Sequence, residues 1–230
     1  AHIIPAAYLS KVVSLDASTT KRYAGLRGMA RERPLAIDVA RRVELLENYG
    51  IDIQLVTPQP DCNAVPVSSK ETLLDLCRAC NDEMAKIMDE GRGRLLGAAS
   101  VPLELLEEGG LREMDRAIAT LGLKAFAIQS HIKGKPLDSM QFMPFWDRAC
   151  RLGVPVYIHP TNPVGYSDRP YEKDYDLAHV FGWPFETTLA LSGLVFSGIM
   201  EQHPALKIVS HHLGGGMIPF LWGRIEESYI

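Results

Sequence analysis

At three places in this sequence histidine stands where a short, apolar, largely β-branched run breaks off. His2 lies in Ala1-His2-Ile3-Ile4-Pro5, His159 closes Pro155-Val156-Tyr157-Ile158-His159-Pro160, and His211-His212 close the run from Leu206. A neutral imidazole is the commonest nitrogen ligand of divalent metals. Three of them, or two with a carboxylate, leave a coordination position open for water or substrate. One histidine at a strand end is as readily a hydrogen-bonded structural group, but three at the same end of their strands favour a shared metal site. His211 and His212 are neighbours, so in an extended chain their side chains point to opposite faces and only one meets that site.

The other polar motifs carry less. Gly214-Gly215-Gly216 matches neither the phosphate-binding loop nor the dinucleotide fingerprint, and small residues there are expected to let a substrate approach the backbone. Cys77-Arg78-Ala79-Cys80 has the spacing of a redox or zinc pair, yet it lies inside a helical pattern with no second pair, which favours a structural role. The four cysteines, Cys62, Cys77, Cys80 and Cys150, are expected as reduced thiols. Arg224 is either a solvated charge on the last helix or an anchor for an anionic group.

The elements that must position these residues follow from periodicity. A strand cut close to its end is expected at the N-terminus, then an irregular excursion with short helices from Ala6 to about Pro34. Helices are predicted over 37–49 with Gly50 as cap, over 70–90 with Ser68 or Ser69 as cap, around Leu111–Leu121 ending at Gly122, over 144–152 ending at Gly153, and as one long apolar helix over 186–201. Strands are predicted over 51–57, 94–101, 124–130, 155–159 and 206–212, with a Pro-, Gly- and Tyr-rich loop after His159. Strand and helix thus alternate about every 30 residues, the repeat of parallel βαβ units. The strands are near-continuously apolar, as in a sheet covered on both faces or closed into a barrel. Polar residues end several of them (Thr57, Ser100, Gln129-Ser130, His159, His211-His212), which favours a (β/α)8 barrel with its site at one mouth.

Composition excludes other classes. With 230 residues, 47% of them hydrophobic and 23% charged, the chain can bury a large α/β core. A net charge of −4 with scattered Lys and Arg argues against a nucleic-acid partner. No apolar run approaches the ~20 residues of a membrane span and no signal-peptide pattern opens the chain, so a cytoplasmic protein is expected.

Taken together these residues resemble the amidohydrolase-related family of metal-dependent decarboxylases and hydrolases, which includes aminocarboxymuconate-semialdehyde, γ-resorcylate and 5-carboxyvanillate decarboxylases. Ala1-His2-Ile3-Ile4-Pro5 is similar to the tail of its first-strand His-x-His-x-x-Pro signature, Gly50-Ile51-Asp52-Ile53-Gln54-Leu55 to its Gly-Val-x-Val-Gln segment, and Val156-Tyr157-Ile158-His159-Pro160 to its fifth-strand His-Pro motif. Gly182 to Thr188 and Leu206 to Ile225 look closest to the semialdehyde decarboxylase.

The resemblance implies a (β/α)8 TIM barrel of the metal-dependent hydrolase type. It implies one divalent ion, zinc first and manganese second, with His2 and His159 as ligands, His212 as the proton-transfer residue and Arg224 as a binder of substrate carboxylate across a dimer interface. The implied reaction is non-oxidative decarboxylation of an aromatic or unsaturated carboxylic acid by a homodimer or higher homo-oligomer. Hydrolysis of a lactone, amide or ester on the same site is the alternative, and a non-catalytic ligand-binding barrel remnant a second. The sequence departs from the pattern in three ways. The signature's first histidine would precede Ala1, no eighth-strand aspartate is present, and a glycine is inserted between His212 and Pro219. About six βα units fit into 1–230, where such barrels take roughly 250 residues. The expectation is therefore a single barrel domain truncated at both ends.

Overall fold

A computed structural model describes residues 1–161, 175, 177–212 and 214–229. By its internal contacts the chain forms two units, Ala1–Ala127 and Ile128–Ile230.

The first unit is a parallel sheet with helices between its strands. Its elements are β1 (His2–Ile3), α1 (Ala6–Val13), α2 (Ala17–Glu32), α3 (Val39–Asn48), β2 (Gln54–Pro58), α4 (Lys70–Glu90), β3 (Leu95–Ser100), α5 (Leu111–Asp115) and the first part of β4 (Ala125–Gln129). The strands pair in the order β1-β2-β3-β4 with registers His2 to Thr57, Gln54 to Leu95 and Ala98 to Ala125. Parallel neighbours need a crossover, and the helices supply it.

The helix starts follow the capping chemistry in the sequence. Asp38 accepts from the Arg41 N–H at the start of α3, and Ser69 from the Thr72 N–H at the start of α4. Helix α4 buries Leu73, Leu76, Cys77, Cys80, Met84 and Ile87. A polar seam ties it to the end of β3: Ser100 N–H donates to Asn81 Oδ1 at 2.8 Å, and Asn81 Nδ2 donates to Ser100 O at 3.1 Å and to Glu113 Oε1 at 2.8 Å.

In the second unit β4 ends at Gln129, and a small antiparallel hairpin follows, β5 (His131–Ile132) and β6 (Lys135–Pro136). Then come α6 (Met143–Leu152), β7 (Val156–His159), α7 (Trp183–Phe196), α8 (Ile199–Gln202), β8 (Ile208–Ser210) and α9 (Met217–Ser228). Strands β7 and β8 are parallel, Val156 to Ile208 through Ile158 to Ser210. Gly153 closes α6 in the left-handed conformation at φ 69°.

The structure departs from the sequence expectations at four places. The stretch after Ala6 is two helices rather than an irregular excursion; α1 buries Tyr8, Leu9, Val12 and Val13 at helical spacing. The long helix expected over 186–201 begins at Trp183 and breaks at Gly198, whose φ of 77° ends α7 before α8. Strand β2 begins at Gln54 rather than Ile51, with Ile51 and Ile53 exposed. Cys62 and Cys77 are joined in a disulfide across 15 residues, so only Cys80 and Cys150 are free thiols. Periodicity carries no information on which two sulfurs meet. Most of the loop expected after His159, residues 162–174 and 176, lies outside the described residues. No helix among the described residues is long and apolar enough to cross a membrane.

Candidate metal centre

In the second unit, β7 ends at His159 and β8 at Ser210, one residue before His211. The ladder extends one step further, since His211 N–H donates to Ile158 O at 3.0 Å. His212 then turns into the left-handed region at φ 54°, uncommon for a residue with a Cβ. That turn overrides the alternation of an extended chain, so both rings arrive beside His159. Ring centroids are 4.8 Å apart for His159 and His212 and 5.6 Å for His159 and His211. The expectation that only one of the two rings would meet the site is therefore corrected. One ring nitrogen from each of His159, His211 and His212 lies within 4.8 Å of the others.

The tautomer of His159 can be read from its partners. Its Nδ1 faces Pro160 O at 2.6 Å, so that nitrogen carries the proton and donates. The lone pair is then on Nε2, which stands 3.0 Å from Nε2 of His212. An imidazole that donates its far N–H to a backbone carbonyl is the usual state of a histidine presenting the other nitrogen to a metal. Burial, and next His212, push the His159 pKa down to about 4; burial and next His159 push His211 down to about 3. His212 is lowered by burial and then by His179. Three neutral rings with converging nitrogens have the donor chemistry of a zinc or manganese site.

Aromatic rings wall this cluster. Trp183, the first residue of α7, lies 6.0 Å from His159 and 5.3 Å from His212 between centroids, and His179 meets Trp183 edge-on at 4.6 Å. Of the glycines after His212, Gly214 is held by packing. A Cβ on Gly214 would run into the Thr187 side chain of α7 and stand 2.6 Å from Ser210 Oγ. Close approach to α7 is what the structure shows for that glycine.

The other expected site residues, His2 and Arg224, lie on β1 of the first unit and on α9 of the second. In the first unit His2 Nδ1 lies 2.9 Å from Thr57 Oγ1, and its carbonyl accepts from Arg42 Nη2 at 2.8 Å. Arg224 is exposed on α9, two turns beyond Met217. Sequence reasoning missed the places of His211, Trp183 and His179. The Gly182–Thr188 motif was the available signal for Trp183.

A model of a family described as amidohydrolase matches residues 9–228. The chain belongs to the amidohydrolase family. This amidohydrolase chain is 34% identical over 188 residues to the 2-amino-3-carboxymuconate-6-semialdehyde decarboxylase of Dictyostelium discoideum, covering 82% of itself and 51% of that protein. Among solved structures it matches the 2,6-dihydroxybenzoate decarboxylase from Rhizobium with a TM-score of 0.71 and 27% identity, over 80% of this chain and 58% of the other. It also matches the dihydroxybenzoic acid decarboxylase from Polaromonas, solved with bound manganese and 2-nitroresorcinol, with a TM-score of 0.76 and 24% identity over 97% and 66% of the two chains. The amidohydrolase chain thus spans about half the length of the first of these relatives. The expected fold class, an incomplete (β/α)8 TIM barrel, is borne out, with six parallel strands among the described residues, β1 to β4, β7 and β8.

Proposed function

We propose that this protein is a metal-dependent non-oxidative decarboxylase of an aromatic or unsaturated carboxylic acid. The observation that carries the reading is His159, with its Nδ1 proton committed to Pro160 O and its Nε2 turned toward His212. Its relatives support the chemistry: the Rhizobium and Polaromonas structures are decarboxylases of dihydroxybenzoic acids, and the second holds manganese. In this proposal His159 and His2 would hold the ion, and His211, beside His159, would be a further donor. Manganese is then as suitable as zinc, because imidazole serves both.

A bound divalent ion would orient the acid and offset negative charge that develops as carbon dioxide leaves. His212, the exposed member of the cluster, moves the proton to the carbon that loses the carboxylate. Its left-handed backbone turns the ring toward His159 and Trp183, where an aromatic acid would stack. Trp183 and His179 exclude water from that face. Arg224 holds a substrate carboxylate by a charge-assisted pair, across an interface in a homodimer or larger assembly. The proposal also takes 1–230 as part of one barrel domain in a cytoplasmic enzyme.

Hydrolysis shares every one of these residues, so the substrate decides. Hydroxybenzoates and muconate-type acids should release carbon dioxide, while lactones, amides and esters should stay intact; turnover of lactones without carbon dioxide would sink the decarboxylase reading.

A further inference from the structure

Beside His159, but outside the histidine cluster, the second unit buries a second polar group. Ser130 follows β4 and is 3% exposed, and Glu186 in the first turn of α7 is 6% exposed. Ser130 brackets the turn that carries His159. Its N–H donates to His159 O at 2.8 Å. Its Oγ receives the Thr161 N–H at 3.0 Å and lies 2.7 Å from Thr161 Oγ1. The residues on both sides of Pro160 are thus tied to one serine, and Pro160 O is the acceptor that fixes the His159 ring.

A hydroxyl has one proton and two lone pairs. The Ser130 and Thr161 hydroxyls can share their hydrogen bond in either direction; with Thr161 Oγ1–H as the donor, the Ser130 proton is left to turn to the Glu186 carboxylate, whose charged form that hydroxyl favours. His131 completes the group. Its Nδ1 accepts from Gly134 N–H at 3.1 Å, which places its proton on Nε2, 3.7 Å from Glu186 Oε2. A buried carboxylate is costly without such donors, so its presence here asks for a reason.

We infer that Glu186 and Ser130 are positioning residues for His159: the carboxylate orients the Ser130 hydroxyl, which locks the His159-Pro160-Thr161 turn and thereby aims His159 Nε2. This rests on His159 being a metal ligand. Removing groups that orient a ligand histidine costs about 10- to 100-fold in metal affinity, and the lower end is expected for a hold exerted through the backbone.

The test is manganese affinity of the full chain by competition with a chromophoric chelator, with the absorption spectrum of the cobalt-substituted protein as second readout. Melting curves identify folded variants. Ser130→Ala and Glu186→Ala should bind manganese about ten-fold more weakly and change the cobalt spectrum, whereas Glu186→Gln, whose amide oxygen still accepts from Ser130, should recover most of the affinity. If Glu186→Ala does not fold, Ser130→Ala and Thr161→Val carry the comparison. Wild-type affinity and spectrum in folded Ser130→Ala would overturn the inference, as would equal loss in Glu186→Gln and Glu186→Ala. Wild-type protein that binds no manganese, or binds it as well after His159→Ala, would instead overturn the metal reading.

Discussion

At the residue scale the site is made by one backbone departure. Two adjacent histidines on a strand would face opposite ways, yet His212 at φ 54° brings both rings to His159. The sequence marked His159 and His212 as strand-end residues, and the ring tautomer that leaves the His159 Nε2 lone pair available follows only from Pro160 O. A left-handed histidine leaves no trace in periodicity, which is why His211 was misplaced. The free thiol Cys80 gives a residue-scale prediction. It is fully buried, and burial, then the carboxylates of Asp61, Glu83 and Glu113, push its pKa well up. The folded state therefore keeps its proton where the unfolded thiol, at about 8.5, has lost it. Fewer protons bound when unfolded means stability falls as pH rises. The urea midpoint should drop between pH 8 and pH 10 by the equivalent of about 1 kcal/mol or more, and Cys80→Ala should flatten that slope.

At the element scale, caps and glycines were the most legible features. Helix α4 runs from Lys70 to Glu90 as its periodicity and serine cap foretold, and α6 ends at Gly153. Replacing Ser69 by alanine removes the acceptor for Thr72 N–H and should cost about 1 kcal/mol by chemical denaturation, with metal binding unchanged. Less legible were α1 and α2. The stretch Ala17–Glu32 is rich in arginine and polar residues, so its pattern shows no strong apolar face. Helix α7 is apolar on nearly all sides: Ala190 and Leu194 are buried while Phe185, Leu189, Val195 and Phe196 are exposed. A helix of that kind gives a clear hydrophobic signal and no orientation, so the buried Glu186 could not be picked out beforehand.

At the scale of the whole molecule, the alternation of strand and helix identified a parallel α/β fold, because parallel strands need crossovers and their buried faces need continuous apolar runs, and the polar residues at the strand ends favoured the barrel. The same reasoning could not say which side chains join across the fold, such as the Cys62–Cys77 pair. The proposed decarboxylation requires a histidine-held divalent ion for loss of carbon dioxide. Chelator-treated protein should be titrated with manganese while carbon dioxide release from 2,6-dihydroxybenzoate and a muconate-type acid is followed. Release that is absent at the start, rises to a plateau at one ion per chain and is lost in His159→Ala is the predicted result. Release that persists without metal, or none from any aromatic or unsaturated acid once one ion per chain is bound, would contradict it.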